Sequence, residues 1–190
     1  MTPHPRRGGV MSDFIGVDDY LRGREEMRRR ELVWGVVREP PAPRFSHQTV
    51  VGRAFSLLDQ HVRERRLGVA CVSPADVVLD AERALVVQPD VFFISHERMS
   101  IVRHQVWGAP DLVVEVASPG TGRFDETTKI EWYRTYGVRE AWLVDPHDAV
   151  VVVVTLDMTG TEARRRFSGE TRVESAVLPA FSAEAREFFE

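Results

Sequence analysis

Apolar residues at helical spacing mark two stretches of the chain as amphipathic helices. Between residues 46 and 66 they recur every three or four positions, which predicts one long helix capped by Ser46. The same spacing covers residues 124–136 and stops at Gly137, a residue type that commonly ends helices. Shorter stretches predict helices at 17–21, 96–103 and 183–189.

Apolar runs of strand length occupy much of the remaining chain. They predict a hairpin at 31–38, strands at 69–72, 76–79, 85–94 with a break at Pro89, 112–117, 141–144 and 150–156, and a terminal hairpin within 161–180. The run 112–117 is almost continuously apolar, which is typical of a strand covered on both faces of its sheet. This order of elements predicts a mixed α/β (α+β) fold, with a central mixed β-sheet flanked by helices.

Composition and charge narrow the class of protein. A chain of 190 residues with 43% hydrophobic and 28% charged residues predicts one globular domain, which we place at 13–190 behind a flexible tail at 1–12. The single cysteine excludes an intramolecular disulfide, and no apolar run approaches the roughly 18 residues of a membrane span. With no signal-peptide pattern at its start, the chain is expected in the cytoplasm. The net charge of −4 argues against unspecific coating of nucleic acid but permits a local basic groove.

Two acidic residues lie within strand-like apolar sequence. Glu115 is surrounded by Val113, Val114, Val116 and Ala117, where an ionised carboxylate must be paired, bound to a metal or protonated. The alternative is the exposed face of an edge strand. Asp90 follows Pro89 between two apolar runs, and its alternative is an ordinary turn aspartate.

If neighbouring strands present Asp90 and Glu115 together, the pair supplies hard oxygen ligands. Such ligands suit Mg²⁺ or Mn²⁺ and do not suit zinc.

Lys129 is the single lysine among 25 cationic residues. Its compact ammonium can approach a water or a phosphate oxygen as a point charge, unlike the planar guanidinium of arginine. Trp132, Tyr133 and Tyr136 share its helical face, so we expect Lys129 to lean along an apolar, inward side. The alternative is a surface ion pair with Asp125.

Several of these residues stand in motifs that resemble a known family. The motifs are Gln88-Pro89-Asp90-Val91, the run from Ala109 to Pro119, Asp125, Lys129, Tyr133, Gly137-Val138 and the run from Trp142 to Pro146, with Arg30 to Gly35 and Ser46-His47-Gln48 nearer the start. They resemble the Uma-two family, a bacterial group of restriction-endonuclease-like proteins within the PD-(D/E)XK nuclease superfamily, over about residues 13–180. The resemblance implies a restriction-endonuclease-like core at 13–190, with a four- or five-stranded mixed sheet and a nuclease-type metal site.

Carried over by position, the resemblance makes Asp90 and Glu115 the two acids of the superfamily. The usual lysine stands two residues after the second acid, where this chain has Ala117; Lys129, on the following helix, matches the lysine of this family. Glu31 would be the additional acid that many members have. Its alternative is an ordinary solvated glutamate after three arginines.

These residue types imply a metal-assisted hydrolysis. Asp90, Glu115 and the backbone carbonyl of Val116 would hold Mg²⁺ or Mn²⁺, which polarises the scissile phosphate and acidifies a bound water. Lys129 would orient that water or stabilise charge on the phosphoryl oxygens.

Two further residues are candidates for substrate binding. His47 lies near the start of the long helix, where a solvated or capping histidine is the alternative. Ser118 opens a loop of small residues that could offer amides to phosphate, or could be a plain loop. Arginine runs at 28–30, 63–66 and 164–166 could contact a nucleic-acid backbone or could simply solvate a face.

The leading hypothesis is a metal-dependent endonuclease that hydrolyses DNA. A non-catalytic nucleic-acid-binding or interaction module on the same scaffold is one alternative, and a hydrolase of RNA or another phosphoester is a second. The resemblance also implies a homodimer, since the superfamily commonly pairs subunits.

Overall fold

Two mixed β-sheets and three α-helices make up the part of the chain that the structure describes. The structure is a computed structural model that describes residues 14–22, 29–118, 123–157 and 162–190, with the backbone alone at 123–126 and 162. The predicted tail at 1–12 lies outside these residues. The helices are α1 (Val17–Arg22), α2 (Phe45–Arg65) and α3 (Arg123–Tyr136), with 3₁₀ helices at His96–Ile101 and Ala185–Phe188. No helix among the described residues is long and apolar enough to cross a membrane.

The strands divide between a six-stranded and a five-stranded sheet. They are β1 (Glu31–Val33), β2 (Val36–Arg38), β3 (Gly68–Val72), β4 (Val77–Asp80), β5 (Leu85–Val87), β6 (Val91–Ser95), β7 (Val106–Trp107), β8 (Leu112–Val116), β9 (Glu140–Asp145), β10 (Val150–Leu156) and β11 (Glu162–Ser168). The larger sheet has the order β11-β10-β9-β8-β6-β3, and the smaller has the order β2-β1-β5-β4-β7. This mixed architecture flanked by helices confirms the predicted fold class.

Strand β8 lies inside the larger sheet and carries apolar residues on both faces. It pairs in parallel with β9 and antiparallel with β6. Val114 and Val116 pack in the core on the α2 side, whereas Val113 packs in the core shared with α3 and the smaller sheet. The prediction of a strand covered on both faces is therefore confirmed, and the exposed edge-strand alternative for Glu115 is wrong.

The smaller sheet brings β1 next to the point where the chain crosses between sheets. Strand β1 pairs with β5 through Leu32 and Val86. After β5 the chain passes through residues 88–90 and enters β6 of the larger sheet. Pro89 favours this crossing, because proline cannot continue a hydrogen-bonded ladder. Asp90 thus lies at the junction of the two sheets.

The structure corrects three expectations about the elements. The long helix begins at Phe45 with Arg44 as its N-cap, so Ser46 lies inside the helix and does not cap it. The terminal hairpin is wrong, because β11 pairs with β10 and the chain after it returns without a second strand. The expected sheet of four or five strands is one of six beside a second of five, because the short strands β1, β2, β5 and β7 form a sheet of their own with β4.

Candidate active site

A pocket of about 450 Å³ opens beside the end of β8. Strands, helices and the proline segment before α2 all contribute to its walls, which are lined by Arg29, Glu31, Pro40, Pro41, Ala42, Pro43, Arg44, His47, Asp90, Glu115, Val116, Ala117, Ser118, Lys129, Ile130, Tyr133 and Leu143. The pocket therefore contains every candidate site residue identified from the sequence.

Strand register places Asp90 and Glu115 on the same face of the larger sheet. Val91 of β6 lies opposite Val114 of β8 in the antiparallel pair. One step back along β6 and one step forward along β8 bring Asp90 opposite Glu115. Directly opposed residues point to the same side of a sheet, so the two carboxylates face each other across the strand pair.

Asp90 is a buried, ionised carboxylate with a partner on each oxygen. Its Oδ1 lies 2.6 Å from Nη1 of Arg29, and its Oδ2 accepts a hydrogen bond of 2.8 Å from the amide of Val116. Burial alone would raise the pKa of Asp90, but His47, the Arg29 charge and the Val116 amide together hold it below its ordinary value. Asp90 is thus a permanent negative charge at neutral pH.

Lys129 reaches the carboxylates from α3. Its Nζ donates to Oε1 of Glu31 at 2.9 Å and to Oε1 of Glu115 at 3.3 Å, and its side chain is 11% exposed. Burial alone would lower the pKa of Lys129, but Glu115 and Glu31 raise it above its ordinary value, so the amine stays an ammonium. The ammonium points into the site, as its helical face predicts, and not to the surface.

Glu115 differs from Asp90 in the direction in which its pKa is shifted. Burial raises the pKa of Glu115, and the nearby Asp90 charge adds to the rise against the lowering effect of Lys129. Tyr133 donates its hydroxyl hydrogen to Oε1 of Glu115. Burial and the adjacent Glu115 raise the pKa of Tyr133 well above its ordinary value, so this phenol remains a donor. The site therefore pairs a firmly ionised acid with one that is more easily protonated.

His47 is buried and Glu31 is partly buried, so the solvated alternative is wrong for both. The Glu31 side chain is 12% exposed, and its Oε1 also accepts a hydrogen bond of 3.2 Å from the backbone N–H of Gln88. His47 is 4% exposed, with Nε2 at 3.1 Å from the Val116 carbonyl and 3.5 Å from Asp90 Oδ2. Because both neighbours are acceptors, Nε2 of His47 carries a hydrogen.

Ser118 is partly buried in the wall of the pocket, just after β8. Residues 119–122 of the loop that it opens, where amides could meet a phosphate, lie outside the described residues.

Arg29 is a site residue that sequence reasoning missed. The run at 28–30 suggested a surface contact with nucleic acid, but the Arg29 side chain turns inward. Its Nη2 donates to the Gln88 carbonyl at 2.9 Å and lies 3.7 Å from Oε2 of Glu115. The available signal was its place two residues before Glu31, because alternate residues of an extended chain point the same way.

The donors in this pocket suit a hard divalent cation in chemical type. Three carboxylates and the Val116 carbonyl supply only oxygen, the ligand that Mg²⁺ and Mn²⁺ prefer. Among the residues that the structure describes, no group of three or more Asp, Glu, His or Cys side chains is arranged so that it could hold a metal ion. The guanidinium of Arg29 lies between Asp90 and Glu115.

Comparison with known proteins agrees with this fold. The chain is similar to a solved structure, the crystal structure of a "putative nuclease belonging to DUF820" from Anabaena variabilis. The two are 19% identical with a TM-score of 0.76, and the alignment covers 92% of this chain and 97% of that chain, which shows a shared fold. Comparison with curated proteins gives no match.

The family of this chain is shown by a match to a protein-family model. The model of Uma2, described as "Putative restriction endonuclease", matches residues 17–186. This match confirms the resemblance to the Uma-two family that the motifs indicate. Because it spans most of the 190 residues, the chain belongs to the Uma2 family.

Proposed function

We propose that this protein is an endonuclease that uses Mg²⁺ or Mn²⁺ to hydrolyse phosphodiester bonds in DNA. The observation that carries the proposal is the convergence of Asp90, Glu115 and the Lys129 ammonium in one pocket. A structural role alone does not require the chain's single lysine to be buried against two carboxylates at the wall of a cavity. Membership of a family described as "Putative restriction endonuclease" supports DNA as the substrate.

Asp90, Glu115 and the Val116 carbonyl would hold the cation. When bound there, Mg²⁺ or Mn²⁺ supplies an acidified water and positive charge for the phosphate. Asp90 is held for this task by the Val116 amide and by His47, which fix the orientation of its carboxylate. Such supporting contacts set the precision of a first ligand shell.

Lys129 acts as a fixed ammonium within the pocket. Its raised pKa keeps the amine an ammonium with three N–H groups at neutral pH, and its contacts with Glu31 and Glu115 hold it in place. A donor held in a partly dehydrated pocket stabilises charge that develops on a phosphoryl oxygen more strongly than a mobile surface lysine could. Glu31 is therefore a positioning residue for Lys129.

The segment before α2 forms a rigid and partly cationic rim of the pocket. Pro40, Pro41 and Pro43 form a segment of restricted backbone on one wall, and Arg44 follows them. An arginine at this place suits a phosphate next to the one being cleaved. We propose that the DNA backbone passes along this rim.

Cleavage of linear and supercoiled DNA with Mg²⁺, with Mn²⁺ and with a chelator tests the proposal. Glu115→Gln and Lys129→Arg should each lower the cleavage rate about 100-fold or more, since arginine keeps the charge but not the reach and shape of lysine. Glu140→Gln is the matched control, because Glu140 is a fully buried carboxylate on the neighbouring strand β9, outside the pocket. Thermal unfolding establishes that each variant is folded at the assay temperature.

Full activity in Glu115→Gln or Lys129→Arg would overturn the proposal. DNA binding without cleavage under any divalent cation would favour the non-catalytic module. Cleavage of RNA but not of DNA would identify RNA as the substrate. The homodimer stays a prediction from the superfamily, and sedimentation equilibrium tests it.

A further inference from the structure

The guanidinium of Arg29 holds the space between the two acids of the site. Its Nη1 lies 2.6 Å from Oδ1 of Asp90, and its Nη2 lies 3.7 Å from Oε2 of Glu115. The same Nη2 donates to the Gln88 carbonyl at 2.9 Å, which fixes the plane of the fork. The Arg29 side chain is 24% exposed and lines the pocket.

These two oxygens are also the ones that a cation would need. Oδ2 of Asp90 already accepts from the Val116 amide and faces His47. Oε1 of Glu115 accepts from Lys129 and Tyr133. Oδ1 of Asp90 and Oε2 of Glu115 are therefore left to face a shared ligand, and Arg29 occupies that position.

Space and charge both make the guanidinium and a divalent cation exclusive. A Mg²⁺ ion that bridged Oδ1 of Asp90 and Oε2 of Glu115 at about 2.1 Å from each would need the position between them that the guanidinium fills. The described side chains of the site carry three carboxylates, Glu31, Asp90 and Glu115, against the two cations Arg29 and Lys129. Exchange of the guanidinium for a divalent ion neutralises this set, whereas addition without exchange leaves a net positive, half-buried cluster.

We propose that Arg29 is an exchangeable counter-ion, whose guanidinium holds Asp90 and Glu115 in place until a divalent cation displaces it. This inference rests on the proposed function, because it presumes that a cation binds between the two acids. It makes the apparent cation affinity a property of Arg29 as well as of the ligands. The guanidinium that leaves stays tethered at the pocket wall.

Calorimetric titration of the full chain with Mn²⁺, without DNA, tests the exchange. Arg29→Gln removes the competing charge and should bind Mn²⁺ about tenfold tighter than wild type, the scale of one lost charge-assisted hydrogen bond. Arg29→Lys keeps a charge but loses the fork, and should fall between the two. Arg30→Gln is the matched control, since Arg30 pairs with Glu39 at 2.8 Å and is not among the residues that line the pocket; it should bind like wild type.

Asp90→Asn separates failure of this inference from failure of the proposed function. If wild type binds Mn²⁺ and loses binding in Asp90→Asn, but Arg29→Gln and Arg29→Lys bind no tighter than wild type, the counter-ion role is refuted while the cation site stands. If neither wild type nor the Arg29 variants bind Mn²⁺, the cation site itself is refuted, and the inference with it. Binding by Arg29→Gln alone would support the exchange in its strongest form.

Discussion

Replacement of Lys129 by methionine tests how much its ion pairs with Glu31 and Glu115 contribute to the free energy of unfolding. The Lys129 ammonium lies within 2.9 Å of Glu31 and 3.3 Å of Glu115, and all three side chains are 11–14% exposed. Lys129→Met keeps most of the volume but leaves the two carboxylates as neighbours without their shared cation. Removal of one partner from a buried ion pair typically costs 3–5 kcal/mol, so we expect a loss of about 3 kcal/mol in the free energy of unfolding. For a domain of this size, that is a fall in Tm of about 6–12 °C.

The sign of the pH dependence follows from the raised pKa of Lys129. The folded state holds the ammonium more tightly than the unfolded chain does, so the stabilisation is fully present below the ordinary pKa of 10.5 and is lost as pH rises through the raised value. Unfolding measured at pH 7 by circular dichroism therefore registers the whole loss.

Two controls make the result specific to the site. Arg63→Met breaks an exposed pair with Asp59 on α2 and should leave Tm nearly unchanged. The double variant Lys129→Met with Glu31→Gln removes one of the two opposed carboxylates and should regain part of the lost stability. A Lys129→Met protein within about 1 kcal/mol of wild type would refute the view that these three charges form one buried network.

Other predictions follow from residues outside the pocket. Glu140→Gln should lower stability by about 2 kcal/mol while cleavage is retained, because Glu140 accepts hydrogen bonds from Trp142, Ser175 and the Ala176 amide at 2.5–2.8 Å; urea unfolding measures the loss, and an unchanged midpoint would contradict this account of the carboxylate. Burial raises the pKa of the Cys71 thiol above its ordinary value of 9.0, so iodoacetamide should modify the folded protein with a midpoint above that pH. The urea-unfolded chain should show the ordinary midpoint, and equal midpoints in both states would contradict the burial of this thiol.

The acids of the site could be found from sequence because apolar neighbours made them conspicuous. Glu115 interrupts a run of valines, and an unpaired carboxylate there would be too costly to tolerate, so a partner had to exist. Lys129 was conspicuous for a different reason, as the one lysine in a chain rich in arginine. In both cases the residue was noticed because its type differs from that of the residues with which it is compared.

Other features of the structure have only a weak signal in the sequence, or none. Arg29 stands in a run of three arginines, and only its place two residues before Glu31 indicates that its side chain turns inward. Its contact with Asp90, 61 residues away, depends on the tertiary fold. The second sheet includes β7, a strand of two residues, which is too short to show any period. Its pairing with β4 depends on tertiary packing, which local sequence does not encode.

A crystal structure of the protein grown with Mn²⁺, with anomalous scattering recorded at the manganese edge, would show directly whether a cation binds between the two acids. We expect one anomalous peak within coordination distance of both Asp90 and Glu115, with the Arg29 guanidinium turned away from the two carboxylates. A map without a peak at that position, in which Arg29 still bridges the two acids at high Mn²⁺ concentration, would contradict this expectation.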